Sequence, residues 1–119
     1  MITTSYYAQE KKIKNPVRIS QQKYRWGTKS REYMKLAPPM YLVNHWKKGS
    51  ITVEQYTEEY YRVVLSKLNP QEVLDEIIRI FGDDATLLCF EKAGEFCHRR
   101  LVAEWIEKGT GVEVPELQF

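Results

Sequence analysis

One short segment of the chain carries most of its reactive side chains. Cys89 and Glu91 are followed closely by Cys97 and His98, with cationic residues around them. A cysteine reacts as its thiolate, which neighbouring cations and a helix N-terminus favour. The segment therefore predicts a nucleophile at Cys89 or Cys97. The alternative is two inert, buried thiols, the more common role of a cysteine that ends an apolar strand.

Glu91 is the main acid–base candidate of this segment, with His98 beside the second cysteine. A carboxylate just past a buried strand can have its pKa raised by burial or lowered by neighbouring cations, and either state serves proton transfer. The alternative for Glu91 is an ordinary salt bridge to the basic residues at the helix start.

Two known cysteine chemistries do not fit the spacing. In protein-tyrosine phosphatases five residues separate the catalytic cysteine from an arginine. In this chain the corresponding position is Glu95 if Cys89 is the cysteine, and Ala103 if Cys97 is the cysteine. Phosphatase and rhodanese chemistry are therefore not predicted. Cys89, Cys97 and His98 offer three soft ligands to zinc, but the adjacent Cys-His and the eight-residue step lack the usual paired spacing. The sequence predicts neither a metal nor another cofactor.

Three cations of the same segment are candidates for ligand binding. Lys92 lies in the loop, and Arg99 and Arg100 follow His98 at the helix start. A helix N-terminus presents free backbone N–H groups, so these side chains predict a cradle for an anion such as phosphate. The alternative is that the arginines bind carbonyl groups of the surrounding loops.

The reactive segment is predicted to be a strand, a loop and a helix. Residues 85–90 form a continuous apolar run typical of a strand covered on both faces. Helical spacing begins near Cys97, and Gly109 lies where that helix would stop. In an open α/β sheet, ligands bind in the crevice at the carboxyl ends of the strands, so the site is expected at that edge.

The motif Cys89-Phe-Glu-Lys, followed by Cys97-His-Arg, resembles the signature of domain-of-unknown-function family 488 in a compact form. The similarity extends, more weakly, to Tyr6-Tyr-Ala, Val17-Arg-Ile-Ser, Leu36-Ala-Pro-Pro and the tyrosine-rich helix before Asn69-Pro70. The resemblance implies a small Rossmann-like α/β domain and a role linked to nucleic acids, without naming a reaction.

The remaining elements follow from periodicity and breakers. Residues 2–7 and 17–20 are predicted strands, and the second would bring Arg18 and Ser20 to the same sheet edge as Cys89. Helices are predicted over about 39–48, from Thr52 to near residue 69, and from Pro70 to residue 81. A last edge strand is expected over residues 112–115. The tyrosines of the second helix suit core packing better than base stacking.

The charges are divided unevenly along the chain. Residues 1–50 contain 11 Lys/Arg and 2 Asp/Glu, a balance of +9, whereas residues 51–119 contain 7 and 14, a balance of −7. The basic loop (residues 21–35) has aromatics among its cations, including Arg25 and Trp26, which suits phosphates and stacked bases. The alternative is that the two parts of the chain attract each other across the fold.

The 119 residues suffice for one domain with a core, so we expect a single small Rossmann-like α/β domain over 1–119, with a mainly parallel sheet flanked by helices. An α+β arrangement is the alternative. No apolar run approaches the roughly 20 residues of a membrane span. The first residues lack the basic start and apolar core of a signal peptide, which predicts a cytoplasmic location with reduced thiols.

The function expected from these features is an enzyme acting on a nucleotide, a nucleic-acid base or another phosphate-containing substrate. The alternative is a non-catalytic module that binds a nucleotide or nucleic acid through the basic first half of the chain.

Overall fold

Parallel strands and helices make up the computed structural model of the chain, which describes residues 1–21, 30–91 and 94–119. Its strands are β1 (Thr3–Tyr6), β2 (Pro16–Arg18), β3 (Arg31–Glu32) and β4 (Thr86–Cys89). Its α-helices are α1 (Met40–Lys47), α2 (Val53–Val63), α3 (Pro70–Phe81) and α4 (His98–Thr110). Short 3₁₀ helices cover Tyr7–Lys12, Met34–Leu36 and Leu65–Lys67.

The sheet has the order β1-β4-β2-β3, and every neighbouring pair of these described strands is parallel. Strand β4 lies inside the sheet and is buried along its whole length. Leu87 belongs to the main core, which the helices cover, while Leu88 packs with Tyr7 and Ile13 in a second cluster. Successive side chains of a strand point to opposite faces. The predicted α/β class, the parallel sheet and the strand covered on both faces are therefore confirmed.

The helix starts follow the predicted capping signals. Thr52 accepts a hydrogen bond from the Gln55 backbone N–H, and the Gln55 side chain accepts one from the Thr52 backbone N–H, which completes a capping box. Asn69 Oδ1 accepts from the Glu72 backbone N–H at 3.0 Å, and Pro70 occupies the first turn of α3. None of the described helices is long and apolar enough to cross a membrane.

Two predicted elements differ in the structure, and one strand was not predicted. Residues 112–115 form no strand; one isolated bridge joins Glu116 to Thr4 instead, beyond Pro115, whose ring removes a ladder donor. Helix α2 ends at Val63, and a 3₁₀ turn replaces its last predicted turn. Strand β3 lies inside the basic loop, where no periodicity pointed to it.

Some cations of the basic first half pair with acidic residues of the second half. Lys35 Nζ lies 2.8 Å from Glu76 Oε1, and Lys14 Nζ lies 3.6 Å from Asp84 Oδ2. These pairs support intramolecular balance for part of the charge asymmetry. Residues 22–29 of the basic loop lie outside the described residues.

Gly109 does not end α4, as its position suggested. The helix continues to Thr110, and Gly111 ends it with a left-handed φ of 79°. Gly109 instead allows close packing of α4 against α3, because a Cβ at this position would lie 2.2 Å from Pro70 Cγ.

Replacing Gly109 with alanine should therefore lower the free energy of unfolding by about 1–3 kcal/mol, the usual cost of overpacking, despite a helix-propensity gain of up to about 1 kcal/mol. Urea denaturation measures this change. Glu107→Ala, at an exposed position in the same turn, is the control and should be nearly neutral. A Gly109→Ala variant as stable as the wild type would contradict the close contact.

Candidate functional site

A pocket opens at the carboxyl edge of the sheet, where the sequence predicted a site. The residues that follow β2 and β4 form one wall, and the start of α4 forms another. Side chains of α1 and α2 close it from above the sheet edge. The lining residues are Ser20, Gln21, Pro38, Val43, Trp46, Lys47, Tyr56, Cys89, Phe90, Glu91, Phe96, Cys97 and His98.

Aromatic rings dominate one side of this pocket. The ring centroid of Trp46 lies 4.9 Å from that of Phe96 and 5.8 Å from that of Tyr56, and the Tyr56 and Phe96 centroids are 5.2 Å apart. Phe90 packs edge-on against Tyr7 at 4.7 Å on another side. A planar ligand entering here would meet aromatic faces and edges.

Glu91 supplies a carboxylate to the pocket from a half-buried position. Burial raises the pKa of Tyr56, and the Glu91 charge raises it further. The Glu91 backbone carbonyl accepts a 2.6 Å hydrogen bond from Arg99 Nη1. The loop is thereby fixed at the residue that carries the candidate acid–base group.

Arg18 and Ser20 shape the edge of the pocket beside β2. Arg18 is buried and donates from Nη1 to the carbonyls of Ser20 at 2.6 Å and Gln21 at 2.9 Å, while Nη2 pairs with Glu32 at 2.6 Å. The Ser20 hydroxyl lies 2.6 Å from the Tyr7 hydroxyl and faces the pocket. Arg18 thus acts here on the backbone of the pocket wall.

Cys89 and Cys97 differ from their expected reduced state, because a disulfide joins them. Cys89 ends β4 and Cys97 precedes α4, so the short loop between them brings the two sulfur atoms together. A bonded sulfur is no thiolate, and either cysteine would act as a nucleophile only after reduction.

His98 lies fully inside the protein between the pocket and β2. One ring nitrogen, Nε2, is 2.7 Å from the Ile19 carbonyl oxygen, and the other, Nδ1, is 3.9 Å from Cys97 Sγ. Burial lowers the pKa of His98 to about 4, with a smaller contribution from the Arg99 charge and an opposing one from the Ile19 hydrogen bond. The ring is therefore neutral at pH 7, with Nε2–H donating and the Nδ1 lone pair facing the sulfur.

Arg99 connects three segments behind the pocket and is only 1% exposed. Its guanidinium donates to both carboxylate oxygens of Glu116 at 3.0 and 2.8 Å, to the Glu91 carbonyl, and to Cys89 Sγ at 3.2 Å. These contacts match the alternative weighed for the arginines, in which they bind loop groups. The structure places Arg99 behind the site rather than among the lining residues.

Among the described candidates, Arg100 does not line the pocket. Arg100 points to the far side of α4, where Nη1 donates at 2.8 Å to Thr4 Oγ1 and to the Val114 carbonyl. Lys92, Arg25 and Trp26 lie outside the described residues.

Cys89, Cys97 and His98 form the group with metal-ligand chemistry among the described residues. One ligand atom from each, two sulfurs and a ring nitrogen, lie within 4.8 Å of one another, and all three residues are buried. The sequence analysis considered the same three residues and did not predict a metal, because their spacing is unusual for zinc ligands.

The lowered pKa of Glu116 predicts that the protein loses stability in acid. Burial pushes its pKa upward, but hydrogen bonds from Arg99 and Thr4, together with the charges of Arg99 and Arg100, outweigh burial and leave it below the usual 4.5. A lowered folded-state pKa stabilises the protein above the unfolded value, and this stability is lost as the pH falls through the folded value. The stability advantage of the wild type over Glu116→Gln should therefore shrink below about pH 4.5 in urea titrations. An advantage that grows in acid would contradict the pairing.

Sequence reasoning did not predict the aromatic wall of the pocket, which Trp46, Tyr56 and Phe96 form. Trp46 and Phe96 were not among the candidate residues, and Tyr56 was predicted only as core. One signal was present: Phe90 and Phe96 flank a charged loop, where apolar rings require a surface to pack against.

Comparison with known protein families gives a match over most of the chain. The profile of family DUF488-N3a, described as the active DUF488-N3 subclade, matches residues 2–110. No curated protein and no solved structure matches the chain.

Proposed function

The chain belongs to the DUF488 family, and from that premise we propose that it is an enzyme acting on the heterocyclic base of a nucleotide or nucleic acid. The observation that carries the proposal is the combination in one pocket of three aromatic rings, those of Trp46, Tyr56 and Phe96, with the Glu91 carboxylate.

The size and lining of the pocket support a flat ligand. Its cavity volume is about 60 Å3, space for roughly four to six water molecules. A one- or two-ring heterocycle fits such a space better than a whole nucleotide does. Bases stack on aromatic side chains regardless of their identity, and each stacked ring contributes about 1–3 kcal/mol. Sugar and phosphate would then extend toward solvent.

Three of the cations expected to bind a ligand have partners within the protein. The guanidinium groups of Arg18, Arg99 and Arg100 bind carbonyl or carboxylate oxygens. Lys47 is the one lysine or arginine among the described residues that line the pocket. These contacts favour recognition through the base over recognition through phosphate.

Glu91 is the group best placed for proton transfer. Arg99 donates a 2.6 Å hydrogen bond to the Glu91 carbonyl, and Glu91 lines the pocket together with Tyr56. A carboxylate beside a heterocycle can take or give a proton at a ring nitrogen or an exocyclic group. The Ser20 hydroxyl and the Gln21 amide line the opposite edge and supply hydrogen bonds that orient a base.

A second candidate function is a non-catalytic module that binds nucleic acid through the basic first half. The net charge of +9 over residues 1–50 favours this function. The pairs Lys14–Asp84 and Lys35–Glu76 oppose it, because they neutralise part of that charge within the protein.

A thermal-shift screen separates the two functions. A ligand that binds the native state raises the melting temperature by mass action. We expect free bases and nucleosides to raise it and ribose 5-phosphate to leave it unchanged, and Phe96→Ala to abolish the rise. Mass spectrometry of the incubated ligand then tests for product. A shift with oligonucleotides alone, steeply dependent on salt, would favour the binding module.

A further inference from the structure

We propose that the reduced protein binds a zinc ion through Cys89 Sγ, Cys97 Sγ and His98 Nδ1, with the fourth coordination position facing the pocket. This site is independent of the proposed base-directed function, because it requires the two thiols and the imidazole and does not require the aromatic wall.

The three ligand atoms are close enough to share one ion. All of them lie within 4.8 Å of one another. In tetrahedral zinc sites with Zn–S bonds of about 2.3 Å, the two sulfurs are about 3.8 Å apart. After reduction, the two sulfurs need only separate to that distance. Cys89 ends β4 and Cys97 precedes α4, on either side of the short loop 90–96. Folding thus brings together three ligands whose spacing in the sequence did not predict a zinc site.

His98 has the hydrogen bonding of a metal ligand. Metal-bound histidines commonly donate their second ring N–H to a backbone carbonyl or carboxylate, which fixes the ring. Here Nε2 lies 2.7 Å from the Ile19 carbonyl oxygen, and Nδ1 faces Cys97 Sγ at 3.9 Å. The nitrogen that faces the sulfurs therefore carries the lone pair that a metal needs.

The charges around the sulfurs are compatible with two thiolates and a dication. Arg99 Nη1 lies 3.2 Å from Cys89 Sγ and can donate a hydrogen bond to that thiolate. The guanidinium charge is balanced by Glu116 at 2.8 Å, so it does not repel the ion as an unpaired cation would. Donors to ligating sulfur are part of the second shell that tunes a metal site.

The fourth position opens into the pocket. Cys89, Cys97 and His98 are all pocket-lining residues, and Glu91 lines the same space. Three protein ligands of the Cys₂His type with one open position are typical of catalytic rather than structural zinc. The open position would hold water, with Glu91 as its nearest carboxylate among the described lining residues.

The disulfide and the metal exclude each other. A dithiol reductant transfers two electrons and two protons to the Cys89–Cys97 bond, which yields two protein thiols and the reductant as a cyclic disulfide. Zinc then replaces the two thiol protons, which are released to solvent. Reoxidation of the pair must expel the ion, so binding is expected only in the reduced chain.

Cobalt(II) titration of the reduced, folded protein tests the site. We expect one equivalent to bind, with thiolate-to-cobalt charge-transfer absorption and the intense visible bands of tetrahedral cobalt, and zinc to remove both. Protein with the disulfide intact should give neither signal. Cys97→Ser and His98→Asn should weaken binding at least about tenfold, while His45→Asn, at an exposed position on α1, should leave it unchanged.

Circular dichroism shows whether each variant is folded. If a variant fails to fold, the spectrum of the wild type still decides the outcome. Reduced wild type that gives no charge-transfer band, or only the pale spectrum of octahedral cobalt, would overturn the proposal. So would a folded Cys97→Ser variant that retains wild-type affinity. Either result leaves the base-directed function untouched, since the thermal-shift screen contains no metal.

Discussion

Replacing Arg99 with methionine is expected to lower the free energy of unfolding by about 3–5 kcal/mol. The reason is that Arg99 is 1% exposed and donates to Glu116, to the Glu91 carbonyl and to Cys89 Sγ. Methionine fills similar space but donates no hydrogen bond, so the largely buried Glu116 carboxylate loses its counter-charge. Urea denaturation at pH 7 measures the loss.

Two further variants separate charge pairing from packing. Lys108→Met removes an exposed partner of Glu104 in α4 and should cost less than about 1 kcal/mol, because surface pairs contribute little. The double variant Arg99→Met/Glu116→Leu removes both buried charges and should recover much of the stability lost in the single variant. An Arg99→Met protein as stable as Lys108→Met would show that the network does not hold the pocket wall.

Replacing Glu91 with glutamine is expected to lower kcat by about 10²–10⁴-fold on whichever base-type ligand is turned over. Glutamine keeps the shape of the side chain but cannot exchange a proton at neutral pH. The aromatic wall and the Arg99 contact to the Glu91 carbonyl are unaffected by the change. Ligand binding, measured by thermal shift, should therefore remain close to that of the wild type.

Glu113→Gln is the matched control, since Glu113 is exposed and lies outside the pocket. It should retain full activity. A Glu91→Gln variant with wild-type kcat would remove Glu91 from the chemistry and favour the binding-module alternative.

Elements defined by local signals were predictable from the sequence. The capping box at Thr52 and the Asn69-Pro70 start depend on side chains within one helical turn, and the structure has both where they were expected. The apolar run at β4 likewise determined its central, doubly covered place in the sheet. Because parallel strands end at one edge, several candidate residues line one pocket there: Ser20, Cys89, Glu91, Cys97 and His98.

Features that depend on distant partners were not predictable. Gly109 resembles a helix stop, but Pro70, far away in the chain, gives it a packing role. Arg99 was predicted to bind an anionic ligand, yet its partner is Glu116, which lies just beyond the residues 112–115 that were expected to form a strand. Trp46 reaches the pocket only because α1 folds over the sheet edge, a placement that no local pattern specifies.

The central claim is that a base binds against the aromatic wall, and fluorine NMR of protein labelled with 5-fluorotryptophan tests it most directly. The chain has three tryptophans, each assigned by a Trp→Phe variant. Trp46 reports on the pocket, Trp26 on the basic loop, and Trp105 on α4 outside the pocket. We predict that a stabilising base shifts the Trp46 resonance saturably and leaves that of Trp105 in place. A ligand that binds while moving only the Trp26 resonance would contradict the account.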